Sequence, residues 1–313
     1  MTKTNYVNYR DAKAVSIENE LYQAIFTIKG SKMVSLVDKH TGRELLLQPN
    51  NEKLLQGTYD SDYNAVDVSG FDEMLPTIDE YYYSQPPWEG IKLPDHGEVW
   101  SIDWHVTLNP DCLEMSVFGV RLPYRFSKRV YFNDDMALQI RYSLENLSPF
   151  DMEYVWAAHA IFIMEEDSLI LLPSGSKSGT LTESYQNLNG KYGDHILLHK
   201  TYHMPHENAI SINLSSPQYM DKFYIDDPLT QGQCGVYYPS DNSSYVINFP
   251  QKAVPYLGIL LSKGLHLGCS CILEPCTAAF DRPDMAKMRK KDSVLKANDT
   301  HSWHLSFTKN TIK

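Results

Sequence analysis

The feature that most limits what this chain can become is alternation of apolar and polar residues with a period of two, broken by turn chemistry about every ten residues. In "ALQIRYSLEN", Leu138, Ile140, Tyr142 and Leu144 alternate with Gln139, Arg141, Ser143 and Glu145, so one face is buried and the other wet. Just before it, "NDD" at Asn133 supplies a turn after "KRVYF", which predicts a hairpin. The arrangement recurs around "NPD" at Asn109, where "HVTL" leads in and "CLEMSV" leads out, and around "KHTGRE" between "MVSLV" and "LLL". Later, "CGVYYPSDNSSYVINF" reads as strand, polar turn, strand, and "YLGILLSKGLHLGCSCIL" repeats it with the bend expected at Lys263-Gly264. In the closing "HSWHLSF", Trp303, Leu305 and Phe307 share a face.

Helical windows are scarce, the best being the short polar stretch "RPDMAKMRKKDSVLKAN". Many strands and few short helices predict an all-β fold, a large antiparallel sandwich. No linker, low-complexity tract or internal period divides residues 1–313, so one domain is expected, with "SYQNLNGKYGDHILLHKTYHMPHENAIS" as a long irregular excursion.

The formal charge of −11 repels polyphosphate, and no Lys/Arg cluster with interleaved aromatics offsets it, so nucleic acid is not an expected partner. No apolar run nears the roughly 20 residues a bilayer crossing needs, and the N-terminus lacks the apolar segment of a signal peptide. Five scattered cysteines form no disulfide framework, and Cys269 and Cys271 read as strand residues of the core. These features predict a cytoplasmic protein.

Phosphate-binding glycine loops and zinc-binding helix motifs are absent, "GSKSG" has Lys177 where a nucleophile elbow needs serine, and neither "HMPH" nor the Cys269/Cys271 pair brings further ligands at a metal-site spacing. No metal is expected. Three stretches remain: "DHGEVW" with His96, "YVWAAHAIFIM" with His159, and "CSCILEPCTAAFDRPDMA" with Glu274. His159, inside an apolar strand, is either a hydrogen-bonded core residue or a group facing a cavity. Glu274, before Pro275 at a strand end, is either solvated or placed at a rim. His96, between Asp95 and Gly97, reads equally as a turn residue.

Together these stretches resemble the aldose 1-epimerase (mutarotase) superfamily, in its broader bacterial branch. "DHG" before a Trp-rich strand is similar to the family's first histidine motif, "WAAHAIF" to its second, and "ILEPCT" to the strand bearing its glutamate. "KFYIDDPLTQGQCGVYYPSDNSSYVINF", "VPYLGILLSKG" and "SWHLSF" continue the likeness in order, covering most of the chain from about Ile17. The resemblance implies a galactose mutarotase-like β-supersandwich whose open face holds a sugar. It also implies Glu274 as general base, His159 as general acid, and His96 as a hydrogen-bond donor near the ring oxygen. Such chemistry interconverts α and β anomers without a cofactor, because the hemiacetal supplies the reactivity and the protein moves two protons. A carboxylate near His159 would hold that imidazole protonated near neutrality.

The chain departs from the family in lacking the Asn-Arg pair whose arginine touches the sugar. Asp72 and Glu73 in "VSGFDEMLPTIDEYYY" are the candidates to replace it in reading hydroxyls, and Asp226 and Asp227 are positional candidates for a further family aspartate. Trp156, Trp100, Trp104 and Trp88 are candidates to stack on the sugar's apolar face. The expected partner is a small-molecule aldose, and a homodimer is compatible with the sequence. Two alternatives stand beside the epimerase: a non-catalytic sugar-binding module on the same scaffold, and a mutarotase of a sugar phosphate. The latter would need a basic cluster at the cleft mouth, for which Arg121, Arg125, Lys128 and Arg129 in "RLPYRFSKR" are candidates.

Overall fold

The computed structural model of the chain describes residues 1–165, 167–211, 218–226 and 228–311. Two antiparallel sheets, of 12 and 10 strands, face one another, and only two short α-helices, Leu198–Thr201 and Pro283–Met288, interrupt them among the described residues. The expected all-β sandwich is what forms. A core of side chains from Val15 to Phe307 fills the space between the sheets, as the two buried faces of alternating strands require. No helix among the described residues is long and apolar enough to cross a membrane.

The hairpins read from alternation are present. His105–Leu108 turns into Cys112–Phe118, Tyr124–Phe132 into Leu138–Asn146, and Gln233–Tyr238 into Ser243–Asn248. One bend lies elsewhere than expected: the strand Tyr256–Leu265 continues through Lys263 and Gly264, with a register shift, and the turn falls at His266 and Leu267 before Gly268–Cys276. The excursion after Ser184 carries short elements, including strands His195–Leu197 and His203–His206. The polar window near the C-terminus is helical only over Pro283–Met288, after which Ser293–Leu295 pairs with Met152–Tyr154.

The middle of the larger sheet matters most for function. Its strands run in the order Phe71–Met74, Ala157–Ile163, Gly268–Cys276, Tyr256–Leu265, Tyr219–Ile225. Every residue of the first is buried, and so are the first six of the second, because this part of the sheet is covered on both faces.

Candidate active site

Register brings the chemistry together. His159 lies opposite Asp72, and the pairs Ala157–Cys276 and Ala160–Leu273 on either side place it opposite Glu274. Glu274 in turn lies opposite Gly258, and Gly258 opposite Tyr224. One row across five strands therefore reads Asp72, His159, Glu274, Gly258, Tyr224. Gly258 is needed there, because a Cβ on it would sit 2.7 Å from Glu274 Oε2 and 3.1 Å from the Tyr224 ring.

A cavity of about 650 Å³ opens over this row, and His96, His159 and Glu274 all line it. Glu274 is 1% exposed, and neither carboxylate oxygen has a hydrogen-bond partner among the described residues. An unsatisfied buried polar group costs about 1–3 kcal/mol, and more when charged, so such a carboxylate marks a place kept for a ligand. Burial raises its pKa above the ordinary carboxylate range against the pull of Lys222, whose Nζ is 3.5 Å from Oε2. Lys222 itself is held by Asp281 at 2.7 Å, and Tyr224 donates to the same Asp281 oxygen. Burial disfavours the ammonium, but Asp281 and Glu274 more than offset that and raise its pKa.

The two histidines are joined through Tyr63. Asp62 accepts from the Asn64 amide and closes the single 3-10 turn Tyr63–Ala65, which sets the Tyr63 ring parallel to His96 with centroids 3.6 Å apart. The Tyr63 hydroxyl donates to Asp72 Oδ2 at 2.8 Å, and Asp72 is ion-paired to Lys32 at 3.0 Å. That hydroxyl also lies 3.2 Å from His159 Nδ1. Because its only proton goes to the ionised Asp72, Nδ1 must carry hydrogen and donate to the tyrosine oxygen, leaving Nε2 for the cavity. Burial pushes the His159 pKa well below the usual imidazole value, and the nearby His96 and Lys222 reinforce the shift. The expectation of an imidazole kept protonated by a carboxylate is therefore corrected: the ring is buried, and the carboxylate beside it is itself pushed toward its neutral form.

His96 is a turn residue as well as a cavity residue. Its φ is 59°, its amide donates to Ile78, and the following Gly97 packs so closely on Leu75 that a Cβ would fall 2.2 Å from the Leu75 carbonyl oxygen. Its Nδ1 approaches Asp95 Oδ2 at 3.0 Å without hydrogen-bond angles. Burial would raise Asp95, but His96 outweighs it and lowers that carboxyl. Asp79 is exposed at the cavity rim, where hindered hydration and Asp281 push its carboxyl up to about 6.

The other expected contacts fall outside the cavity. Asp72 stands behind Tyr63 and is 1% exposed. Glu73, one residue on, points to the opposite face of its strand and into the core, where it takes hydrogen bonds from Lys128, Tyr142 and Trp156. Glu73 and Trp156 are thus a buried polar knot between the sheets and do not line the cavity. Asp226 accepts from Thr180 at the far end of its strand, also away from the cavity, and Asp227 lies outside the described residues. Among the tryptophans, Trp100 meets Tyr63 edge-on, Trp104 packs on Phe126, and Trp88 on Phe150. The basic cluster of "RLPYRFSKR" is not at the cleft mouth: Lys128 is buried against Glu73, and Arg125 and Arg129 face out from the other sheet. Tyr63, Lys222, Asp281 and His266, by contrast, line the cavity without having been singled out. Of these, Lys222 alone carries a sequence signal, a lysine amid the apolar strand "YMDKFYI".

Comparison with solved structures places this architecture in a class: the fold is that of the galactose mutarotase-like β-sandwich proteins. A galactose mutarotase-like protein from Clostridium acetobutylicum superposes with a TM-score of 0.72 at 15% identity, covering 100% of this chain and 99% of that one. One from Lactobacillus casei does so at 0.67 and 15%, covering 95% and 100%. A galactose mutarotase related enzyme from Lactobacillus acidophilus gives 0.68 and 14%, covering 95% and 97%. No family model and no curated protein sequence matches the chain.

Proposed function

We propose that the chain is an aldose 1-epimerase acting on a neutral aldose, with His159 and Glu274 as its proton-transfer pair. The observation that carries this is their placement side by side in one row of the sheet, facing one cavity, with the Glu274 carboxylate buried and, among the described residues, without a hydrogen bond. Both pKa directions, glutamate up and histidine down, favour a pair that holds a single proton on the carboxyl. In that state His159 Nε2 takes the proton of the C1 hydroxyl while Glu274 protonates the ring oxygen. The C1–O5 bond breaks and C1 becomes a carbonyl. After rotation about C1–C2, O5 adds to the other face, returning its proton to Glu274 as the carbonyl oxygen regains one from His159. These roles are the reverse of the family-derived assignment. Lys222 supports the carboxylate form whenever the proton has left. His96, held flat by Tyr63, is placed to meet a sugar hydroxyl.

A sugar phosphate fits this cavity poorly. Asp79, Asp95, Glu183 and Asp281 line it with Glu274, against Lys222 and, among the described residues, no other lysine and no arginine. The five unpaired cysteines suit a reducing compartment, where we place the protein.

Polarimetry or NMR on freshly dissolved aldoses tests the proposal, with Glu274→Gln and His159→Asn each expected to slow mutarotation at least about 100-fold. Wild-type rates no faster than buffer across the panel would leave a sugar-binding module instead. The pH profile is expected to be a bell. NMR titration assigns its limbs: the Glu274 carboxyl following the basic limb supports the reversed roles, and its following the acid limb restores glutamate as the resting base.

A further inference from the structure

We infer that the outward face of the smaller sheet is a second carbohydrate site, one that takes a saccharide carrying a phosphate or carboxylate group. The face is hollowed into a groove of about 700 Å³, as large as the cavity on the other sheet and within the usual size of ligand sites. Five strands floor it, and their register sets two rows side by side. One row reads Thr107, Glu114, Arg129, Arg141, His304. The next reads His105, Ser116, Ser127, Ser143, Ser302. At about 4.8 Å per strand each row is roughly 19 Å long, longer than a single sugar ring.

The charge arrangement asks for an anion. Directly opposed residues on neighbouring strands approach within about 5 Å at Cβ, and like charges so placed repel. Arg129 and Arg141 are such a pair, and both guanidinium groups converge on Tyr131, at 5.6 and 5.1 Å from its ring centroid. Arg141 is flanked across the strands by Arg129 and His304 and along its own strand by Gln139 and Ser143, so no acid adjoins it on any side. The acids on this face, Glu114 opposite Arg129 and Glu145 opposite Arg125, are not drawn into pairs: among the described residues the arginines in ion pairs are Arg43 and Arg282. On a chain of charge −11, an arginine with no acid beside it, set directly against a second arginine on one concave face, is a local exception, and a guanidinium fork reads phosphate or carboxylate.

The second row supplies the other half of the recognition. Four serine hydroxyls and an imidazole in line offer donors and acceptors at strand spacing, which suits a polyol. None of these side chains touches the cavity of the larger sheet, so the groove works whether or not that cavity is catalytic.

Isothermal titration of the full chain with glucose 6-phosphate, glucuronate, inorganic phosphate and glucose tests the site, with NMR of the His105 and His304 rings to locate it. The expected result is binding of the two anionic sugars, weaker binding of inorganic phosphate, and shifts of both imidazoles. Arg141→Gln should weaken the anionic sugars by about tenfold or more, as loss of a charge-assisted hydrogen bond implies. Ser143→Val, on the same exposed face, should weaken them without changing the affinity for inorganic phosphate, and Glu274→Gln should leave their affinity within about twofold. Three results would overturn the inference: no binding of either anionic sugar, unchanged affinity in Arg141→Gln, or loss of binding in Glu274→Gln. Inorganic phosphate binding as tightly as glucose 6-phosphate would also overturn it, because the serine row would then read nothing.

Discussion

The two sheets carry hollows of nearly equal size, about 650 and 700 Å³, with opposite chemistry. The cavity of the larger sheet is walled by acids around one lysine, and its key carboxylate is buried without a hydrogen bond among the described residues. The groove of the smaller sheet is open, and Arg141 stands there against Arg129, with no acid beside it, next to a line of hydroxyls. The difference follows from how each face is covered. Where strands are buried on both sides, a polar group costs stability unless a ligand or partner meets it, so its presence signals chemistry. Where one side is wet, polarity is free, and only an improbable arrangement such as opposed arginines carries information.

The largest expected contrast lies between the faces themselves. Glu274→Gln removes at least about 100-fold of mutarotation yet keeps the groove's affinity for anionic sugars. Should one substitution abolish both, the faces would not be separate sites. Gly258→Ala comes next: its methyl would intrude on Glu274 Oε2 at 2.7 Å, and the Tyr224 ring at 3.1 Å blocks a sideways escape. Moving a catalytic carboxylate by about 1 Å costs up to about 100-fold, so a loss of tens of fold in kcat is expected in a variant that stays folded by circular dichroism. Undiminished kcat would mean that the carboxylate does not act from this position.

A smaller effect is expected at Tyr63→Phe. The ring that stacks on His96 remains, but the oxygen that accepts from His159 Nδ1 is gone. Loss of one such hydrogen bond is worth about 1.4 kcal/mol, or about tenfold, and should appear in kcat more than in KM. ¹⁵N shifts of His159 should change from one tautomer to a mixture. An unchanged tautomer would separate Tyr63 from the positioning of that imidazole.

How much of this was legible in the sequence depends on how far each feature reaches along the chain. Hairpins such as Tyr124–Phe132 with Leu138–Asn146 are local: turn and alternation sit within about 25 residues, and both were readable. His96, His159 and Glu274 were found through motif resemblance, and the sheet order then brought them to one cavity. That neither Asp72 nor Glu73 lines the cavity was not readable, because Phe71–Met74 is buried throughout and offers no alternation to tell one face from the other. Trp156 was misplaced for the same reason, lying in a segment buried on every side. Tyr63 and Asp281 become neighbours of the site only through pairings between distant strands and loops, which no local pattern announces.

The smallest expected effect concerns stability, and it asks whether the cavity's polarity is the burden that its burial implies. Glu274 has a folded-state pKa above its unfolded value, so the folded state holds the proton more tightly. Between the ordinary glutamate value and that raised one, the folded protein binds more protons than the unfolded chain, and stability falls as pH rises. Below this window the carboxyl is neutral in both states and adds no cost; above it the cost is complete. Glu274→Gln lacks the titration, so its melting temperature relative to wild type should climb as pH increases through the window and level off beyond it. Lys222 keeps Asp281 as its partner in that variant, so the gain is not cancelled by a stranded ammonium. Parallel melting curves for the two proteins at every pH would show that the buried carboxylate is better compensated than its orphaned oxygens indicate, and would weaken the contrast between the two faces at its strongest point.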